Sequence, residues 1–150
     1  MLRLVAQATG AEIRAEESMT VKFAQRLLLG AGIYGVAVVA PLFFLEHLIG
    51  EYDPPPVTHA EFYYGFVCTA FAWQIVYLMM SRDPVRLRPV LIPAIVGKAG
   101  FALSVFALVA QGRLAAQNAV LPSVDLLLAG LFAWAYVALG SQSKTGDMGR

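Results

Sequence analysis

Charge is scarce in this 150-residue chain: Asp, Glu, Lys and Arg make up 14% of it against 59% hydrophobic residues. Such a balance, with a mean hydropathy of +0.66, excludes an ordinary water-soluble domain of this size. There is one cysteine, Cys68, so no intramolecular disulfide and no cysteine pair for a metal is available, and it reads as a small buried residue. The chain lacks a Gly-rich phosphate loop, a Gly-x-Ser-x-Gly elbow and any Ser/His/Asp set sharing one depth. Neither His-x-x-x-His nor Glu-x-x-His occurs, so no metal is expected, and no cofactor is implied. A net charge of +1 with no basic stripe gives no sign of a nucleic-acid partner. No long repeat supports an inverted-repeat transporter. The first twenty residues lack the basic, apolar and cleavable order of a secretory signal, so the first span is expected to be retained. Met19 offers a second start, which would make residues 1–18 dispensable.

What the chain has is four apolar stretches, roughly 24–45, 59–80, 88–110 and 117–139, each long enough to cross a bilayer as a helix. The expected fold is all-α: a polytopic four-transmembrane-helix up-down bundle over residues 23–140, between an N-terminal segment 1–22 and a tail 141–150. Arg3, Arg14, Lys22 and Arg26 precede span one, Arg82, Arg86 and Arg88 join spans two and three, and Lys144 and Arg150 follow span four. The other two connections contribute only Arg113, so both termini are expected in the cytoplasm. Phe43, Phe44, Tyr52, Phe62, Tyr63 and Tyr64 form an aromatic belt at the opposite boundary. Asp53-Pro54-Pro55-Pro56 reads as a stiff extended loop and Ser81-Arg82-Asp83-Pro84 as a tight turn. Ala31 with Gly35, and Gly100 with Ser104, are spaced for close helix packing. Of Pro41, Pro93 and Pro122, Pro93 is placed nearest an interior kink.

Two charges fall inside the spans, Lys98 in the third and Asp125 in the fourth. A charge at midplane costs about 3 kcal/mol on insertion scales and needs a partner. Counted from the 111–116 turn, Lys98 lies about six residues deeper than Asp125, roughly 9 Å at the helical rise, and the side chains lean apart. Helix geometry therefore disfavours a direct pair and makes Gln74, offset by roughly 6 Å with converging leans, the expected partner of Lys98. Gln74 shares a face with Tyr63, Ala70 and Tyr77, a stripe that reads either as a cavity lining or as an interhelical hydrogen-bond seam. Glu46, His47, His59 and Glu61, with Asp125 leaning to the same level, form an outer polar cluster, and Glu61 with Asp125 is a candidate buried pair.

The segments Glu61-Phe62-Tyr63-Tyr64-Gly65-Phe66, Ala72-Trp73-Gln74 and Ser81-Arg82-Asp83-Pro84-Val85-Arg86 resemble the DoxX-like group of small bacterial four-span membrane proteins. That resemblance implies a multi-pass protein of the bacterial cytoplasmic (inner) membrane and transfers no catalytic motif. The leading functional expectation is a non-enzymatic accessory or ligand-binding bundle around Gln74, Lys98 and Asp125, taking an amphipathic ligand such as a quinone or lipid. Its partners would be the lipid bilayer and either a homo-oligomer or a membrane complex. Two alternatives stay open: a small oligomeric transporter or channel with a polar path at Lys98 and Asp125, and an intramembrane enzyme using Glu61, His59 or Asp125 as acid or base. Orientation is directly testable. A reporter fused after Arg150 is expected to be active in the cytoplasm, and activity only on the far side of the membrane would refute the charge-based topology.

Overall fold

A computed structural model describes residues 2–52 and 56–147. Asp53, Pro54 and Pro55, and with them the expected proline-stiffened loop, lie outside the described residues, as do Arg150 and the side chains of Arg3 and Lys144 from the charge count. The described chain is all helical. Helix α1 runs Leu2–Val39 and passes into a 3₁₀ turn, Ala40–Phe44; a short α2 (Glu46–Tyr52) follows, then α3 (Ala60–Met80), α4 (Leu91–Ala110) and α5 (Val120–Asp147). Four segments are long and apolar enough to span a membrane: Arg14–Phe44, Ala60–Met80, Arg88–Ala110 and Ala116–Ser141. The protein is a multi-pass membrane protein with four such helices.

The helix ends follow from local chemistry. Pro41 sits at the start of its 3₁₀ turn, while Pro93 and Pro122 are each the third residue of their helices. Proline is tolerated there because first-turn N–H groups have no intrahelical acceptor. Pro93 therefore lies in the first turn of α4, not at an interior kink, which corrects the sequence expectation. Helix α4 stops where Gly112 takes φ +70°, with Gly112 N–H donating to Val109 C=O and Arg113 N–H to Leu108 C=O, both at 2.9 Å. Those are the two bonds of a Schellman cap, and glycine supplies the left-handed residue without a Cβ clash. The 81–87 turn is tied by Asp83, whose carboxylate accepts the Arg86 N–H at 3.1 Å and whose carbonyl accepts the Leu87 N–H at 3.1 Å.

The chain forms two compact units, Met1–Gln25 with Asp83–Arg150, and Arg26–Arg82. In the second, α1 and α3 meet at glycines. A Cβ at Gly32 would lie 2.7 Å from Leu78 Cδ2 and 3.2 Å from the Gln74 carbonyl, and one at Gly35 would overlap the Gln74 amide. Where lipid offers no hydrophobic drive for helices to associate, such close approach supplies van der Waals contact. Ala31 is buried beside this seam as expected, while Gly32, not singled out from sequence, makes one of the tight contacts. In the first unit, α4 lies alongside α5, and Phe23 of α1 meets Trp134 of α5 edge-to-face with centroids 5.0 Å apart. Gly100 and Ser104 are exposed, and Gly100 faces open space, so that pair makes no close helix contact here, contrary to the spacing argument.

Gly32→Val should lower stability by about 2 kcal/mol through overpacking against Leu78. Gly100→Val, facing open space, should stay close to wild type. Equilibrium unfolding in detergent or lipid compares the two, and equal losses would overturn this account of the α1–α3 contact.

Candidate functional site

Lys98 donates to Asp125 Oδ1 at 2.5 Å, an ion pair between the third and fourth candidate spans. The two side chains retain 12% and 25% of their exposure, so the pair is mostly withdrawn from the surface with one edge accessible. This overturns the expectation that helix geometry keeps them apart. Counted from the end of α4 at Ala110 and the start of the 3₁₀ turn Ala116–Ala119, Lys98 lies twelve residues deep and Asp125 nine, so the offset is three residues and not six. At about 2.0 Å per residue through that turn and 1.5 Å thereafter, Asp125 lies about 16 Å below the connection, against about 18 Å for Lys98. The offset shrinks to about 2 Å on the same rises, within reach of a flexible four-carbon lysine stem. Leaning preferences did not decide the outcome. Leaving either charge alone in hydrocarbon costs more than an adjusted rotamer.

Gln74 does not take the role expected of it. Its Nε2 donates to the Ala70 carbonyl at 2.7 Å within α3, and its buried Oε1 has no hydrogen-bond partner among the described residues. The amide instead occupies the space left by Gly35. Tyr63 donates to Leu42 C=O at 2.7 Å and Tyr77 is buried, so this stripe of α3 serves as a packing and hydrogen-bonding seam.

The two imidazoles of the expected polar cluster each pair locally with a glutamate. His47 Nε2 lies 3.3 Å from Glu51 Oε1, one turn along α2, and His59 Nδ1 lies 3.2 Å from Glu61 Oε1. Glu61 keeps 70% of its side-chain exposure, and Asp125 is engaged by Lys98. Among the described residues no group of three or more His, Cys, Asp or Glu side chains is placed to hold a metal ion. Phe44, Tyr52 and Phe62 are largely exposed near this end, in keeping with aromatic side chains at a headgroup layer. Cys68 is exposed on α3, lining a shallow groove with Thr69, Ala72, Trp73 and Val76, and is not the buried residue expected. On a membrane helix an apolar outer face meets lipid, so small size does not imply burial.

No family model matches the chain, no curated protein matches it, and no solved structure matches it. What stands of the DoxX-like resemblance is its coarser content, a small membrane protein with four apolar helices; no family is identified.

Removing one partner of the pair leaves a partly buried charge without compensation. Lys98→Met is expected to lower stability by about 3 kcal/mol, and Lys98→Met with Asp125→Leu to recover most of that loss. A double-mutant cycle of unfolding free energies checks this, and additive losses would show that the two side chains are not coupled.

Proposed function

We propose that the chain is a non-enzymatic accessory membrane protein that holds the polar end of an amphipathic ligand, such as a quinone or lipid, at the Lys98–Asp125 pair. One observation carries the reading: an ion pair lies within two candidate spans and stays partly accessible at Asp125. Ionisable groups at membrane depth are costly and tend to be kept where they contact a ligand or an ion. Asp125 accepts from Lys98 through Oδ1 and carries a second oxygen, Oδ2, on a side chain that keeps 25% of its exposure. That second oxygen can accept an O–H or N–H from a ligand whose apolar remainder stays in lipid, while the lysine charge keeps the carboxylate neutralised. Gln74, included in the sequence expectation, is assigned to the α1–α3 seam instead. The nine-to-one division of basic residues between the two sides supports a cytoplasmic-membrane protein with both termini inside.

The test is native mass spectrometry of protein released from native-lipid nanodiscs, comparing wild type with Lys98→Ala. A small molecule retained by wild type and lost from the variant is the expected result. Wild-type protein that carries nothing, with Lys98→Ala behaving identically, would make the pair structural and sink the proposal.

A further inference from the structure

Arg88 opens the 3₁₀ turn Arg88–Val90 that leads into α4, and it reaches across to α5 in the same unit. Its Nε donates to the Tyr136 carbonyl at 2.7 Å, and its guanidinium carbon lies 4.0 Å from the Tyr136 ring centroid. Gly140, one turn further along α5, completes the seat: a Cβ there would lie 2.6 Å from Arg88 Cζ and would overlap Nη2. The cation is thus fixed by a backbone acceptor, an aromatic face and a missing side chain.

This arrangement uses one of five guanidinium N–H groups. The Nη1 and Nη2 groups have no hydrogen-bond or ion-pair partner among the described residues. Asp83, five residues earlier, accepts from the Arg86 and Leu87 backbone N–H groups. A planar, preoriented fork with unused terminal donors matches an oxyanion that offers two oxygens. Depth narrows the choice: Arg88 is the first residue of one candidate span and Gly140 the penultimate residue of another, which puts the fork at a span boundary. In a bilayer that boundary is the layer of phosphate groups. Exposed Arg86 adds a second positive charge next to it in sequence.

We propose that Arg88, seated on Tyr136 and Gly140, is a phosphate-binding site whose occupant is the phosphodiester of an anionic membrane phospholipid. It is a separate site from Lys98–Asp125, and it is read on different variants and a different ligand, so either proposal can fail alone.

The probe is the full chain in nanodiscs containing equal parts phosphatidylglycerol and phosphatidylcholine, with co-purifying lipid read by native mass spectrometry after release. Wild type should retain phosphatidylglycerol preferentially. Arg88→Gln and Gly140→Ala should each cut that enrichment about tenfold, the scale of one charge-assisted bidentate contact. Arg86→Ala should leave most of it. Gly140→Ala is the discriminating variant because it keeps every charge and removes only the seat; Arg88→Gln adds no bulk at α5 and covers the case in which Gly140→Ala misfolds. Binding of inorganic phosphate by lipid-free protein in detergent, abolished by Arg88→Gln, would keep the site and identify a free anion as its occupant. No lipid preference together with no phosphate binding in wild type, or equal losses in Arg86→Ala and Gly140→Ala, would overturn the proposal and leave only diffuse attraction.

Discussion

Hydrocarbon supplies neither donors nor acceptors, so any polar group carried into a membrane span must find its partner within the protein, and the structure is organised around that requirement. The backbone meets it by being helical throughout the spans. Side-chain hydroxyls meet it by folding back on their own helices: Thr69 donates to Gly65 C=O, Ser81 to Leu78 C=O and Ser123 to Ala119 C=O. Gln74 does the same through its amide nitrogen. Lys98 and Asp125 cannot be satisfied by their own helices, and their pairing ties α4 to α5. Against this pattern Oε1 of Gln74 stands out as a buried acceptor without a donor among the described residues.

The same solvent changes what packing means. Large side chains such as Ile33, Leu103, Leu127 and Val137 lie on the outside, where lipid receives them without penalty. Much of the interior is small: Ala24, Ala31, Ala94, Ala102, Ala129 and Ala135 are all buried. Adhesion between helices then depends on how closely backbones approach, and Gly32, Gly35 and Gly140 matter because an added methyl group at each would collide with a neighbour.

The number of spans was legible in the sequence because hydropathy over twenty residues measures the quantity that decides insertion. Four helical segments of the required length and hydropathy are present among the described residues. Lys98 and Asp125 were legible as residues that need partners, but their pairing was not. It depends on where α4 ends and the next helix begins, and by about 2 Å on the 3₁₀ rise of Ala116–Ala119, neither of which a hydropathy window registers. Burial of Cys68 and close packing at Gly100 were misread for a related reason: composition and spacing say that a residue is small, not which way it faces. The seat of Arg88 was hidden because its parts, Tyr136 and Gly140, lie about fifty positions away in sequence and carry no motif.

Helix α1 has 38 residues, about 57 Å of continuous rod at 1.5 Å per residue. A hydrocarbon core is about 30 Å thick, and the usual tilt of about 20° absorbs only a small part of the difference. Helix α1 is therefore about five turns longer than a hydrocarbon core requires. Regular backbone in this protein is therefore not confined to the length that hydrocarbon demands.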